Sequence, residues 1–215
     1  MGLRSSLSGK QAVIFDMDGV LIDTEKIWKQ AEKEIFSSLG VEVTEENAKL
    51  TESMTTSQVA QFWFSKFPWK AKSLKETEEM VMHRVTELIE SEECLIDGVK
   101  SFLEDLKRKN YKIGLATNSP LVIIPTVLGR LQITHLFDVV SSAESEEKGK
   151  PHPAVYLSTA KKLKVAPKDC LVIEDSYSGM MAAKNAGMEV AAFTNGNQEL
   201  LFEIADYHIC NYYID

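Results

Sequence analysis

Apolar residues recur along this chain at two different spacings. Between residues 25 and 93 they recur near the period of an α-helix, as Ile27, Ala31, Ile35 and Leu39 do. Two more helical faces follow in the same stretch, which has few strand-like runs. The pattern therefore predicts a helical segment here. The apolar positions of the later faces are Val59, Phe62, Trp63, Val81, Val85, Leu88 and Ile89.

From Leu95 onward, helical stretches alternate with short apolar runs of strand length. This alternation is typical of βαβ units in an α/β fold with a parallel sheet. A similar run, Ala12–Phe15, precedes the helical segment and is expected to join the same sheet. The most economical arrangement is a helical cap, residues 25–94, inserted into a core of residues 1–24 and 95–215. The other predicted strands are Ile113–Ala116, Val139–Ser141, Leu171–Glu174, Val190–Phe193 and His208–Cys210.

Two carboxylates, Asp16 and Asp18, follow the first predicted strand, and Gly19 comes directly after them. Open parallel sheets bind their ligands at the carboxyl ends of the strands. Two neighbouring acids repel each other and are costly to desolvate, so they are expected where a cation or a reaction needs them. Taken alone, however, the stretch is more typical of a strand that runs into a polar Asp-Gly turn.

A second strand-like run ends in Thr117, Asn118 and Ser119. Their hydroxyls and backbone N–H groups are suited to holding an anion, but the same residues are equally typical of a turn before a helix. A lysine, Lys150, then precedes a rigid Pro-x-Pro turn, which by itself indicates an exposed basic loop. These polar strand ends together favour a functional site over a set of turns.

A third strand-like run ends in the adjacent acids Glu174 and Asp175. With it, the order of motifs resembles that of the haloacid dehalogenase superfamily. The stretch FDMDGVLIDTE at 15–25 and KPHP at 150–153 are similar to its β-phosphoglucomutase-like branch, which contains many sugar-phosphate phosphatases. The resemblance covers about residues 12–190. The features that further resemble the 2-deoxyglucose-6-phosphatase and hexitol phosphatase-like group are Trp28, Phe67-Pro68-Trp69 and Ser142-Ala143-Glu144.

The resemblance implies a Rossmann-like, doubly wound parallel sheet with an inserted α-helical cap, and a Mg²⁺-dependent phosphatase. Asp16 fits the nucleophile that forms an aspartyl-phosphate, and Asp18 fits the general acid for the leaving oxygen and then the base for water. By resemblance, the metal ligands are the side chains of Asp16 and Asp175 and the backbone carbonyl of Asp18, with Glu174 close by.

The expected substrate is a small phosphorylated metabolite, in particular a sugar phosphate. The resemblance implies that Thr117, the backbone N–H of Asn118 and Lys150 bind the transferring phosphoryl group. Ser119 and Trp28 are expected to bind substrate as well.

The predicted cap offers aromatic side chains to a sugar, but its loop at residues 51–56 lacks a basic residue to hold the substrate. In the segment 51–56, Ser53 and Thr55 occupy places where the family often has a glycine and a basic residue. Among Trp28, Trp63 and Trp69, at least two are expected to pack in the cap, although any of them is large enough to stack on a sugar face.

Three other activities are distinguished by single residues. A β-phosphoglucomutase has a histidine twelve residues after the nucleophile, where this chain has Trp28. A haloacid dehalogenase lacks the second acid, which is Asp18 here. A non-catalytic binding protein of this fold is expected to have lost Asp16, Asp18, Lys150 or Asp175, and this chain has all four. Hydrolysis is therefore favoured over phosphoryl transfer back to the sugar.

Composition agrees with a cytoplasmic enzyme. The net charge of −8 and the lack of a basic stripe make nucleic acid an improbable partner. There is no run of apolar residues long enough to span a membrane. The widely spaced Cys94, Cys170 and Cys210 are expected to be reduced. Met1–Lys10 lacks the apolar core of a signal peptide and is expected to be a loose leader. The sequence does not indicate an oligomeric state.

Overall fold

A computed structural model describes residues 7–51, 54–197 and 200–213 of the chain. Six strands form one sheet in the order β3-β2-β1-β4-β5-β6, and every neighbouring pair is parallel. The predicted Rossmann-like parallel sheet is therefore confirmed, and β1 lies near its centre. The strands are β1 Ala12–Phe15, β2 Lys112–Thr117, β3 Val139–Ser142, β4 Cys170–Glu174, β5 Glu189–Phe193 and β6 Tyr207–Ile209.

Helices lie between the strands and in the long segment after β1. The first four follow β1 without an intervening strand, as the helical periodicity predicts. They are α1 Glu25–Ser38, α2 Glu45–Ala48, α3 Thr56–Lys66 and α4 Leu74–Ser91. The helices that alternate with the later strands are α5 Val99–Arg108, α6 Ile124–Arg130, α7 Ala154–Leu163 and α8 Tyr177–Asn185.

The central strand β1 is buried on both faces. Val13 and Phe15 pack in one hydrophobic cluster and Ala12 and Ile14 in another, because successive side chains of a strand point to opposite sides. Each cluster is completed by helices, which explains why this strand is an unbroken apolar run rather than an alternating one. The sheet is thus the middle layer, and the ends of its strands lead into loops.

The helical insertion has an apolar core of its own that continues into the main one. Ile27 and Ala31 of α1 are buried. Trp63 and Trp69 are also buried and pack against Phe36, whose ring centroid is 6.3 Å from that of Trp63 and 6.0 Å from that of Trp69. The packing role predicted for two of the tryptophans is therefore confirmed. Side-chain capping boxes begin α3 and α4, which stabilises their first turns.

The two connections of the insertion lie side by side. The backbone N–H of Asp23 donates to the carbonyl of Cys94 at 2.8 Å, and Ile22 and Leu95 form an antiparallel bridge. Asp23 lies two residues before α1 and Cys94 three residues after α4, so these contacts hold the two ends of the insertion together. The division into a core and a cap at residues 24/25 and 94/95 stays a prediction.

Four details of the fold bear on expectations from the sequence. Leu7 is buried, and its carbonyl accepts a hydrogen bond from the Tyr111 hydroxyl at 3.1 Å. The prediction that Met1–Lys10 is a loose leader is therefore wrong from Leu7 onward. Residues 1–6 lie outside the described part of the chain. β6 lies one residue earlier than predicted. Within the described ranges, no helix has the length and apolar character needed to cross a bilayer. The three cysteines are free thiols.

Candidate active site

Parallel strands bring the predicted site residues to one edge of the sheet. Phe15 of β1 is in register with Leu115 of β2 and Ile173 of β4, so the residues that follow all three strands are neighbours. Asp16 comes directly after β1, and Glu174 ends β4. The carboxyl edge of the sheet therefore holds side chains that are far apart in the sequence.

Lys150 lies between two of these carboxylates. Its ammonium is 2.6 Å from Asp16 Oδ1 and 2.7 Å from Glu174 Oε1, and all three side chains are almost entirely buried. Burial would lower the pKa of Lys150, but the two negative charges outweigh it and raise that pKa above its usual value. The lysine therefore keeps its positive charge at neutral pH, and it lies in the site as the resemblance implied, although its segment taken alone indicated an exposed loop.

Glu174 is surrounded by donors. Its Oε1 accepts from Lys150 and from the Tyr156 hydroxyl at 2.9 Å, while its Oε2 accepts from the backbone N–H groups of Asp175 and Ser176 and from the Ser176 hydroxyl, each at 3.0 Å. Burial would raise the pKa of Glu174, but Lys150 and these donors lower it overall. Glu174 is thus an ionised anchor for Lys150 and for the loop after β4.

Asp16, Glu174 and Asp175 form a compact group of acids. One carboxylate oxygen from each lies within 4.8 Å of the others. Desolvation by burial, which outweighs the charge of Lys150, raises the pKa of Asp16 to about 7 and that of Asp175 to about 9. The positive charge of Lys150 therefore does not neutralise the negative charge of all three carboxylates. Hard oxygen ligands in this number and spacing fit a divalent cation such as Mg²⁺.

A glycine gives Asp175 room beside the first strand. Gly19 has a φ of +73°, and a Cβ on it would overlap the Asp175 carboxylate. Both the backbone conformation and the close approach therefore require glycine. The Asp-Gly pair after β1 does form a turn, as one interpretation of the sequence has it, and this turn also makes space for the acidic group.

Asp18 lies outside that acidic group, and its side chain is fixed by three donors. The Thr24 hydroxyl and the Trp28 indole N–H donate to Oδ1 at 2.5 and 3.1 Å, and the Ser119 hydroxyl donates to Oδ2 at 2.6 Å. The donors come from the end of the β1 loop, from α1 and from the loop after β2. The Asp18 carboxylate is therefore oriented by both the sheet and the helical insertion.

The loop after β2 is tied to the site from within. Thr117 is buried, and its hydroxyl oxygen accepts from the backbone N–H of Ser119 at 3.0 Å. The Asn118 amide oxygen accepts from the backbone N–H of Lys150 at 2.9 Å. Asn118 thereby joins the β2 loop to the lysine loop, a contact that the sequence did not predict.

A cavity of about 550 Å³ opens onto these residues. The strand-end loops form its floor, and Trp28 of α1 lies in its wall together with Met54 and Thr55. Ser53, which was considered with this loop, lies outside the described residues. Trp63 and Trp69 do not line the cavity, so Trp28 is the tryptophan that a bound molecule would meet.

Three contributors were missed by sequence reasoning. Thr24 belongs to the stretch that resembles the family, yet its contact with Asp18 has no local signal. Tyr156 follows the KPHP motif by three residues, but its burial against Glu174 depends on how α7 packs. Ser176 had a detectable signal, because a serine before a helix is a typical N-cap, and its hydroxyl does accept from Gly179 N at 3.1 Å.

Comparisons with known proteins agree with this arrangement. The sequence model of the haloacid dehalogenase-like hydrolases matches residues 13–193. The chain is 39% identical over 178 residues to hexitol phosphatase B of Escherichia coli K12, which covers 82% of this chain and 80% of that protein. It is 35% identical over 183 residues to the phosphorylated carbohydrates phosphatase of Thermotoga maritima, covering 83% of this chain and 82% of that one.

The fold also matches a solved structure. The crystal structure of β-phosphoglucomutase from Clostridium difficile superposes with a TM-score of 0.80 at 28% sequence identity, covering 94% of this chain and 92% of that one. Two phosphatases and one mutase are thus similar to this chain over most of its length.

Proposed function

Because the chain belongs to the haloacid dehalogenase-like hydrolase family, we propose that it is a phosphatase acting on a small phosphorylated metabolite, specifically a sugar or sugar-alcohol phosphate. The observation that carries the proposal is the arrangement of Asp16, Asp18 and Lys150 at one end of a cavity. Two relatives, hexitol phosphatase B and the phosphorylated carbohydrates phosphatase, act by name on phosphorylated sugars or sugar alcohols, which supports this class of substrate.

Asp16 is the proposed nucleophile. Its carboxylate attacks phosphorus, the bond from phosphorus to the alkoxide breaks, and an aspartyl-phosphate forms. Asp18 gives its proton to the leaving alkoxide and later takes a proton from the water that hydrolyses the aspartyl-phosphate. The donors from Thr24, Trp28 and Ser119 support this role, because they fix where the Asp18 carboxyl points.

The phosphoryl group is proposed to bind between the β2 loop and Lys150. The Thr117 hydroxyl, the backbone N–H of Asn118 and the Lys150 ammonium supply donors and positive charge for its oxygens. Such preorganised donors stabilise charge that develops in the transition state and contribute several kcal/mol. Ser119 and Trp28 act in this proposal mainly through Asp18, and Trp28 also forms part of the substrate wall.

We propose that the side chains of Asp16 and Asp175 and the backbone carbonyl of Asp18 hold Mg²⁺. When bound, the cation neutralises negative charge on the carboxylates and on the phosphoryl oxygens. Glu174, also predicted near the metal, has donors on both oxygens, so its main role is to position Lys150 and residues 174–176. Residues 25–94 are proposed to act as the cap over this site.

Removal of divalent cations provides a test of the metal site. EDTA is expected to abolish phosphate release and excess Mg²⁺ to restore it. Bound cation should also raise the melting temperature at pH 8, because a ligand at 100 times its Kd stabilises the folded state by about 2.7 kcal/mol. Asp175→Asn is expected to lose this Mg²⁺-dependent rise, whereas the exposed control Asp97→Asn keeps it. Full turnover in EDTA would contradict the proposal.

A phosphomutase is the second candidate, because a mutase structure is among the similar folds. A mutase must protect the phospho-enzyme from water until the sugar has turned over. The cap contact with Asp18 is made here by the Trp28 indole, which is a donor without a titratable nitrogen. It therefore cannot change charge as a histidine can, and this favours hydrolysis.

Products distinguish the two candidates directly. With glucose 1-phosphates or hexose 6-phosphates and Mg²⁺, ³¹P NMR is expected to show inorganic phosphate as the dominant product, with little isomerised sugar phosphate. A reaction that isomerises the substrate with almost no phosphate release would overturn the phosphatase proposal.

We also propose that the enzyme works in the cytoplasm, where the free thiols of Cys94, Cys170 and Cys210 stay reduced. Its partner is the small phosphorylated substrate.

A further inference from the structure

A carboxylate that the catalytic proposal does not use lies in the wall of the cavity. Glu32 is on α1, four residues after Trp28, so it lies about 6 Å further along the helix from the tryptophan that contacts Asp18. It is partly buried, and burial raises its pKa to about 7. In the described ranges, neither a hydrogen bond nor an ion pair to its carboxylate is found.

Other acids of the same helix are paired. Glu34, two residues later, accepts from the Arg84 guanidinium at 2.6 Å outside the cavity. Glu25 is 2.5 Å from the ammonium of Lys29. Glu32 is thus distinguished from its helical neighbours by its place in the cavity and by the lack of a partner among the described side chains. A partly buried polar group of this kind is costly unless something else donates to it.

The cavity wall around Glu32 has an excess of negative charge. Away from the strand-end acids and Lys150, the ionisable residues that line the cavity in the described part of the chain are Asp23, Glu25, Lys29 and Glu32, and Lys29 is paired with Glu25. A second phosphate or a carboxylate on the substrate would be repelled here. Neutral hydroxyls would instead find an acceptor.

We propose that Glu32 is a specificity residue that accepts hydrogen bonds from hydroxyl groups at the end of the substrate opposite the phosphate. It thereby selects neutral polyhydroxylated monophosphates over monophosphates that carry a second anionic group. The inference rests on the proposed phosphatase function and identifies the side chain that recognises the substrate.

Two six-carbon substrates that differ at this far end provide the test. Sorbitol 6-phosphate ends in a hydroxyl, whereas 6-phosphogluconate ends in a carboxylate. The ratio of their kcat/KM values is measured at pH 8.5, above the pKa of Glu32, for the wild type, Glu32→Gln and Glu32→Lys, with Mg²⁺ throughout. Glu34→Gln is the matched control, because it makes the same change on the same helix outside the cavity.

The wild type is expected to prefer sorbitol 6-phosphate. Glu32→Gln should lower the preference about tenfold, because a charged acceptor forms a stronger hydrogen bond than a neutral one and the repulsion is removed as well. Glu32→Lys should lower the preference for sorbitol 6-phosphate further. Glu34→Gln should leave the ratio of kcat/KM values within about twofold of the wild-type ratio, because an exposed ion pair outside the cavity contributes little.

The possible failures are distinguishable. A wild type that favours 6-phosphogluconate, or a Glu32→Gln ratio within twofold of the wild type, would overturn the role of Glu32 while phosphate release still supports the phosphatase. A wild type that releases phosphate from neither sugar phosphate nor from p-nitrophenyl phosphate would overturn both proposals. Should Glu32→Lys not fold, the isosteric Glu32→Gln variant alone decides the question.

Discussion

Asp16→Asn is expected to lower turnover of p-nitrophenyl phosphate by at least about three orders of magnitude. The change keeps the shape of the side chain but removes the attacking charge and one proposed metal ligand, and loss of a nucleophile has costs of this size. The amide oxygen can still accept from Lys150, which donates to Asp16 in the wild type. The measurement is steady-state phosphate release with Mg²⁺, and the matched control is the exposed Asp97→Asn.

The melting temperature separates loss of chemistry from loss of folding. Without metal, the pKa of Asp16 is about 7 in the folded protein, above its ordinary value of 3.8. The folded protein therefore binds this proton more tightly than the unfolded chain does. As a result, the free energy of unfolding of the wild type falls as the pH rises from about 4 to about 7. An asparagine at this position does not ionise, so the variant does not lose this stability. Its melting temperature at pH 8 in EDTA should therefore be no lower than that of the wild type. Residual activity above about a tenth would exclude Asp16 as the nucleophile.

Lys150→Met is expected both to reduce catalysis and to destabilise the fold. The ammonium neutralises Asp16 and Glu174, which are nearly or fully buried. Removing one partner from a buried ionic group leaves uncompensated charge and costs about 3–5 kcal/mol. Loss of a donor to the phosphoryl group should lower kcat by at least about a hundredfold. Urea unfolding and phosphate release measure the two effects, with the exposed Lys148→Met as control.

The destabilisation of Lys150→Met should depend on pH in a defined direction. The raised pKa of Lys150 means that its stabilising charge is fully present at all pH values below its unfolded pKa of 10.5. Without it, the buried Glu174 loses the charge that lowers its pKa, so its folded pKa should rise and the carboxyl should take up a proton in mildly acidic solution. The variant should therefore lose less stability at pH 5 than at pH 8. Equal losses at both values, or a loss no larger than that of Lys148→Met, would contradict the ionic role of Lys150.

The periodicity of the sequence predicted the elements well, because it reflects local backbone geometry and burial. The unbroken apolar run Ala12–Phe15 is typical of a strand covered on both faces, and Ile27 and Ala31 recur at the spacing of a helix that buries one side. Family membership, confirmed by the match to residues 13–193, likewise follows from short motifs at the strand ends. These features need no knowledge of distant contacts.

The positions of side chains relative to one another were decided by the tertiary structure. Lys150 is 134 positions from Asp16 in the sequence, and its own segment indicates only an exposed basic loop. The family resemblance implied a place at the site, and the tertiary structure buries the lysine between Asp16 and Glu174. Its burial depends on the neighbouring places of β1 and β4 in the sheet and on the packing of Tyr156 from α7.

The same distinction applies to the cavity. The sequence placed Trp28 and Glu32 on one helix, but only the packing of that helix brings Trp28 to Asp18 and both side chains to the wall of the cavity. Local spacing determines which residues share a face of a helix or a strand. The long-range packing of helices against the sheet determines what that face meets, and no local pattern in the sequence records it.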